Sequence, residues 1–199
     1  MKLPAIESKK KWVAVGIGYA CFCLLYTLTG RVHLREPARL VPSAIDQAIP
    51  FIDWTVFVYL SQFVFLALCI ASIKKPATIN RTLYGLALAS LLSFIAFIIY
   101  PTSLPRPPLT GGIAAIAYKA LYLMDADTNC FPSLHVALAG LGALGVMDEN
   151  RKQGIAALIW AACIAFSTIT TRQHYFVDVI GGLIVMLFSR LLLRYLIRE

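Results

Sequence analysis

The chain has 199 residues, of which 59% are hydrophobic and 14% are charged, and its formal net charge is +8. A mean hydropathy of +0.76 excludes an ordinary water-soluble domain and indicates several membrane spans within a single domain. The positive charge lies between the apolar segments and follows no nucleic-acid-binding motif, so we expect no nucleic-acid partner.

Six apolar segments predict an all-α, polytopic membrane protein built as a six-transmembrane-helix bundle. The first segment follows a lysine-rich start and is interpreted as an uncleaved span. It is long for a signal peptide, and no small-residue cleavage site follows it. In chain order, the predicted spans cover residues 12–29, 54–73, 83–100, 133–147, 154–170 and 175–193.

A shorter apolar segment at 113–124 lies just before the fourth predicted span. It is too short to cross a bilayer, so we expect a short interfacial helix there, with a plain loop helix as the alternative. Proline-rich sequence at 101–112 separates this segment from the third span.

The distribution of lysine and arginine predicts the orientation in the membrane. Six spans place both termini on one side, and about twelve of the 18 Lys and Arg residues fall on that side. Because cytoplasmic loops carry the excess of these residues, we expect both termini in the cytoplasm (of the inner membrane, if the source is bacterial).

Ionisable residues stand in the last apolar part of the chain. His174 and Asp178 are four residues apart, so on a helix they share one face. A carboxylate in that position can hold the imidazole Nδ1–H and leave Nε2 free to attack or to take a proton. Ionisable groups in such surroundings are costly, and they therefore predict a functional site.

Other polar residues are expected at the same, non-cytoplasmic, ends of the spans. Ser133 and His135 begin the fourth span, Arg106 precedes it, and Arg172 precedes the sixth. A helix N-terminus and arginine side chains both bind phosphate oxygens. Two histidines beside such an anion site predict phosphoryl transfer, in which one imidazole attacks phosphorus and the other protonates the leaving alcohol.

Other chemistries stay open on these residues alone. His135, His174 and Asp178 would suit a catalytic zinc ion by number, but no HExxH signature is present and nearby arginines would repel a cation. A transporter or channel would hold its ionisable relay near mid-bilayer, not at span ends. Cys130 lies beside a loop, yet no adjacent basic residue would activate it as a nucleophile.

The segments CFPSLH at 130–135 and RQHYFVDVIGG at 172–182, with Arg-Pro at 106–107 upstream, resemble the motifs of the type-2 phosphatidic acid phosphatase superfamily. The order of the motifs and the six-span frame are similar too, so the resemblance covers about residues 50–190 of the single domain at 1–199. It implies an integral-membrane lipid phosphatase that works without a metal or another cofactor.

The resemblance also implies residue roles. His174 would be the nucleophile that becomes phosphohistidine, and Asp178 would orient it. His135 would protonate the leaving group and later activate water, while Arg106 and Ser133 would bind phosphate. The expected partners are a lipid-phosphate substrate and the membrane lipids, with the phosphate group presented at the non-cytoplasmic face.

The sequence departs from the family pattern at two positions. Ile99 stands where the first motif commonly has Lys, and Thr168 stands where the third commonly has Arg; Arg172 is our hypothesis for a replacement contact. The wording of FPSLH and HYFVDVIGG is similar to the branch that includes inositol phosphorylceramide synthase. We therefore predict hydrolysis of a phosphomonoester or diphosphate lipid, with transfer of the phosphoryl or phospho-alcohol group to an alcohol or lipid acceptor as the alternative.

Overall fold

The computed structural model describes residues 4–109, 111–125 and 127–197. The regular structure in these ranges is almost entirely helical, so the all-α prediction is confirmed. The α-helices are α1 (Lys11–Thr29), α2 (Ala44–Ala48), α3 (Val56–Leu60), α4 (Gln62–Ser72), α5 (Pro76–Ile99), α6 (Gly112–Met124), α7 (Leu134–Glu149), α8 (Arg151–Thr170) and α9 (Phe176–Leu196).

Five helical segments of the described chain are long and apolar enough to cross a membrane, which confirms a polytopic protein. They are Ser8–Thr29, Asp53–Ser72, Pro76–Ile99, Arg151–Thr170 and Phe176–Leu196. The fourth predicted span corresponds to α7, which has 16 residues and extends about 24 Å. Helix α7 is therefore shorter than a usual spanning helix of about 20 residues, and it is not among the five candidate spans of the described chain.

Helix α7 lies inside the bundle and packs against α4, α5, α8 and α9. Several of its buried positions are small, and Ala137, Ala139 and Ala143 are completely buried. A Cβ atom built on Gly145 would lie only 2.5 Å from Thr82 Oγ1, so the neighbouring helix approaches the α7 backbone directly. Small residues permit this close approach between helices, as in other membrane bundles.

The third span begins earlier than predicted, because α5 starts at Pro76, at the first turn, where proline is well tolerated. Its first two turns contain polar residues that the N-terminal segment covers. The Ile6 N–H donates to Asn80 Oδ1 at 2.7 Å, and Asn80 Nδ2 donates to the Ile6 carbonyl at 3.1 Å. Hydropathy alone placed these polar residues outside the span.

The polar connection at 30–50 contains regular structure that the sequence did not predict. Ala38–Arg39 pairs in parallel with Thr102–Ser103, and Ser43 and Asp46 form a capping box at the start of α2. Asp46 is buried, and its Oδ1 accepts the Phe176 N–H at 2.7 Å. This contact joins the connection to the start of α9.

The short helix predicted before the fourth span is present as α6. Its buried residues Tyr118 and Leu121 pack with Val56 and Tyr59, whereas Ile113, Ile116 and Leu123 are exposed. An apolar face left open in this way suits a membrane surface, and the interfacial position stays a prediction.

Candidate active site

The N-terminal ends of α7 and α9 meet, and this junction brings the two histidine motifs together. The Ser133 N–H donates to the Asp178 carbonyl at 3.0 Å. Gly182 faces this contact, because a Cβ atom there would lie 2.5 Å from the Ser133 carbonyl oxygen. In the same way, a Cβ atom built on Gly181 would lie only 2.6 Å from the Phe131 ring. The two glycines therefore permit close packing between α9 and the start of α7.

His174 lies in the turn between α8 and α9, two residues before α9 begins, so it does not share a helix face with Asp178 as the spacing suggested. Its N–H donates to the Thr168 carbonyl at 3.0 Å, and only 5% of the residue is exposed. The Gln173 N–H donates to the same Thr168 carbonyl at 3.1 Å, so this turn folds back on the end of α8 and holds the imidazole there. The approach of His174 to Asp178 thus arises from the turn that caps α9.

Asp178 is completely buried and lies beside the His174 imidazole. Its Oδ2 is 3.5 Å from His174 Nδ1 and accepts the Tyr175 N–H at 2.8 Å, as the third residue of a helix-capping box. A distance of 3.5 Å is an ion-pair contact, longer than a strong charge-assisted hydrogen bond. The carboxylate thus faces the Nδ1 side of the ring, which leaves Nε2 available.

His135 is the second residue of α7, and its ring faces that of His174. The two ring centroids are 5.9 Å apart, with an angle of 57° between the planes. The other neighbour is Tyr59 of α3, whose ring stacks on His135 at 4.0 Å and 27°. Sequence reasoning missed Tyr59, because a tyrosine inside an apolar span carries no pattern that distinguishes it from core.

A cleft opens at this end of the bundle, with about 330 Å³ of space that includes open solvent. His174 forms part of its wall, whereas Ser133, His135 and Asp178 are not among the described lining residues. The described residues that line the cleft are Tyr26, Leu104, Arg106, Asp125, Asp127, Thr128, Asn129, Cys130, Arg172, Gln173 and His174.

Both candidate arginines line the cleft, but their guanidinium groups are engaged differently. Arg106 is exposed, donates to the Asp125 carbonyl at 2.5 Å, and lies 4.2 Å over the Tyr122 ring. Arg172 donates to the carbonyls of Asp46 at 2.6 Å and Ile49 at 2.7 Å. Arg106 is thus the more accessible cation, while Arg172 ties α2 to the turn that carries His174.

Ser133 is completely buried and serves as the N-cap of α7. Its hydroxyl oxygen accepts the Val136 N–H at 3.5 Å. Thr168, at the position where the family commonly has Arg, is also buried, and its hydroxyl donates to the Ala165 carbonyl of its own helix. Ile99, at the lysine position, adds no charge. The cleft therefore has fewer cations than the family motifs would supply.

Asp125 is a further cleft residue, and the sequence motifs did not point to it. The Tyr26 hydroxyl of α1 donates to its Oδ1. Burial raises the pKa of Asp125, while the Tyr26 hydrogen bond and the charges of His174 and Arg106 act in the opposite direction. The sequence signal that could have found it is its position five residues before CFPSLH.

The structure gives less support to two other chemistries, a cysteine nucleophile and a three-ligand metal site. Burial raises the pKa of the Cys130 thiol well above its ordinary value, which disfavours a thiolate nucleophile. Among the residues that the structure describes, no three His, Cys, Asp or Glu side chains are grouped to hold a metal ion. His135, His174 and Asp178 are neighbours, but they do not form such a group.

Comparison with known proteins gives one family. The profile of the PAP2 superfamily matches residues 25–192, which include His135, His174, Asp178 and the two candidate arginines, Arg106 and Arg172. A comparison with curated proteins gives no match.

Proposed function

We propose a specific reaction for this chain, which belongs to the PAP2 superfamily, the type-2 phosphatidic acid phosphatases. Membership supports an enzyme of the lipid phosphatase or phosphotransferase kind in general. Our proposal is a membrane lipid-phosphate phosphatase that hydrolyses a phosphomonoester or diphosphate lipid through a phosphohistidine. The observation that carries it is the pair of imidazole rings 5.9 Å apart, one of them beside a buried carboxylate and at the wall of a cleft.

In the proposed first step, His174 Nε2 attacks phosphorus. The N–P bond forms, the P–O bond to the lipid alcohol breaks, and the leaving oxygen takes a proton from His135. Asp178 stabilises the positive charge that develops on the His174 ring. Arg106 neutralises phosphate oxygens at the open side of the cleft, which is the main need of phosphoryl transfer.

In the second step, water attacks the phosphohistidine. A proton of the water passes to His135, the N–P bond breaks, and inorganic phosphate leaves with His174 restored. Ser133 contributes by fixing the start of α7, where His135 stands. Arg172 contributes by holding the turn that carries His174. The six proposed site residues thus have three kinds of role. His174, His135 and Asp178 carry the chemistry, Arg106 binds phosphate, and Ser133 and Arg172 position the histidines.

We place this site at the non-cytoplasmic face of the membrane, with both termini in the cytoplasm. The excess of Lys and Arg on the terminal side supports this orientation. The lipid tail would enter between helices whose outward apolar side chains are exposed, such as Leu183, Leu187 and Leu191 of α9. Membrane lipids and the lipid-phosphate substrate are the proposed partners.

A second candidate is a lipid phosphotransferase, in which an alcohol replaces water in the second step. Asp125, Asp127 and Asn129 line the cleft beside His174, and such side chains hydrogen-bond hydroxyl groups well. The resemblance to the branch that includes inositol phosphorylceramide synthase stays a prediction. Supplying a phospholipid with and without an alcohol acceptor distinguishes the two, because hydrolysis releases phosphate or a phospho-alcohol and transfer produces a new lipid.

The test of the proposed function is a panel of lipid phosphates assayed with purified protein, His174→Ala and His135→Ala. We expect turnover of at least one lipid by the wild type, none detectable in His174→Ala, and a loss of about 10²- to 10⁴-fold in His135→Ala. We also expect the wild-type activity to survive EDTA and to be inhibited by vanadate. Full turnover by His174→Ala would contradict the proposal.

A further inference from the structure

We propose that Asp125 makes the cleft selective for a phosphate group that carries a single negative charge. The inference rests on the proposed function and narrows its substrate class. Substrates with such a singly charged phosphate are a lipid phosphodiester at any ordinary pH and a phosphomonoester in its monoanionic form.

The first reason is the position of the carboxylate. Asp125 lines the same cleft as His174, and it is held there from two sides. The Tyr26 hydroxyl donates to its Oδ1, and Arg106 donates to its main-chain carbonyl. A phosphate group bound for attack by His174 therefore has this carboxylate as a fixed neighbour.

The second reason is the balance of charge around the bound phosphate. The described lining contains two arginines and two aspartates, so these four side chains cancel in formal charge. One of the arginines, Arg172, directs both terminal nitrogens to backbone carbonyls. Ile99 and Thr168 add no cation where the family commonly has Lys and Arg. The cleft therefore lacks the positive excess that would stabilise a dianion.

The third reason is the charge of the substrates themselves. A phosphomonoester has a second pKa of about 6 and carries a charge of about −1.5 to −2 at neutral pH. A phosphodiester has no second ionisation and keeps a single charge. Like charges at short range repel strongly in a partly buried site, so Asp125 penalises the monoester dianion more than the diester.

The ionisable groups that interact with Asp125 come from several elements. They are Tyr26 of α1, Tyr59 of α3, Arg106, Asp127 and Cys130 of the connections, and His174 of the α8–α9 turn. As pH falls, the phosphomonoester gains a proton and Asp125 moves toward its neutral form. Both changes reduce the repulsion, so they act in the same direction.

The experiment compares two lipids with the same acyl chains, phosphatidate and phosphatidylmethanol, by the release of diacylglycerol. In both reactions the P–O bond to diacylglycerol breaks and a bond from phosphorus to His174 forms, so one readout serves hydrolysis and transfer. The measured quantity is the ratio of kcat/KM for the monoester to that for the diester, at several values from about pH 5 to about pH 8. Ionisations of the free enzyme that affect both substrates equally cancel in this ratio, whereas the ionisation of Asp125 does not.

We expect the wild-type ratio to fall about tenfold or more between about pH 5 and about pH 8, as the monoester becomes a dianion. Asp125→Asn keeps an oxygen that can accept from Tyr26 but removes the charge, and we expect its ratio at about pH 8 to be roughly tenfold higher than the wild-type ratio. Asp148→Asn is the matched control, because it makes the same change at the other end of the bundle, where Asp148 pairs with Arg190 and Arg194 and does not line the cleft. Its ratio should change by less than about twofold.

A wild-type ratio that does not depend on pH overturns the inference, and so does an equal effect of the two aspartate substitutions or no effect of either. The wild-type pH series keeps the inference falsifiable if Asp125→Asn fails to fold. Diacylglycerol release that persists in His174→Ala overturns the proposed function instead. Release that requires His174 but shows an unchanged ratio overturns only the role of Asp125.

Discussion

At the scale of single residues, Asp178 is the group whose role is easiest to isolate. It contacts His174 Nδ1 at 3.5 Å and caps α9 through the Tyr175 N–H. Asp178→Asn retains an oxygen that can accept from Tyr175, so the helix start should survive, but the negative charge beside the imidazole is lost. We expect kcat to fall by about 10²-fold or more with KM changed little, in a steady-state assay with the best lipid of the panel.

A matched control for Asp178→Asn is Asp148→Asn at the other end of the bundle. Asp148 pairs with Arg190 at 2.8 Å and with Arg194 at 2.9 Å, far along the chain from the cleft. The Asp148→Asn variant loses the same negative charge without contacting the site. Equal losses of kcat in the two variants would count against a specific role of Asp178.

Tyr59 provides a second prediction at this scale, because its ring stacks on His135 at 4.0 Å. Tyr59→Phe keeps the ring and should retain kcat within about threefold. Tyr59→Leu removes the flat surface that holds the imidazole, and we expect kcat to fall roughly tenfold, since misplacement of a catalytic group is costly. Equal kcat for the two variants in the same assay would show that stacking does not position His135.

At the scale of elements, the close contact of α7 with α9 determines whether the two histidines meet. A Cβ atom at Gly182 would lie 2.5 Å from the Ser133 carbonyl oxygen and 2.9 Å from Val136 Cβ. We expect Gly182→Ala to lower the free energy of unfolding by about 1–3 kcal/mol and to reduce activity. Thermal unfolding in detergent and the lipid assay measure these two effects.

Gly16→Ala on α1 is the control for this substitution. No atom lies within 4 Å of a Cβ atom built there, so the same change meets open space. Alanine also has the better helix propensity, so stability should stay equal or rise slightly. An equal loss of stability in both variants would mean that the loss does not come from the α7–α9 contact.

Element types were predictable from hydropathy, and some boundaries were not. The last helix and the short α6 follow the apolar pattern closely, because burial and lipid exposure both favour apolar residues. The start of α5 was missed, since Thr78, Asn80 and Thr82 are buried by tertiary contacts that hydropathy does not record. The strand pair and α2 depend on contacts between distant segments, which no local pattern encodes.

The candidate site shows the same division. His174, His135 and Asp178 stand out in the sequence because ionisable residues are rare in apolar runs, and the structure brings them together. Asp125 and Tyr59 did not stand out, since an aspartate in a connection and a tyrosine in a span are ordinary. Arg172 was expected to bind phosphate, yet its direct contacts are the carbonyls of Asp46 and Ile49. A side chain's partner depends on the fold around it.

At the scale of the whole molecule, the orientation in the membrane is testable by fusions. We expect a fluorescent protein at the C-terminus to fold and fluoresce in the cytoplasm, whereas a label introduced at Val41, which is 85% exposed, should react with a reagent that cannot cross the membrane. A control label at Arg151, at the start of α8, should react only after permeabilisation. The opposite labelling pattern would reverse the orientation.

The central claim is that phosphorus becomes bonded to His174, and trapping the phosphoenzyme tests it most directly. The wild type, mixed with a lipid labelled with ³²P in its phosphate and quenched within a single turnover, should yield a labelled protein whose label is lost in acid and retained in base. Peptide mapping should place the label at His174, and His174→Ala should yield none. Equal labelling of His174→Ala, or turnover by the wild type with no labelled protein at any quench time, would contradict the account.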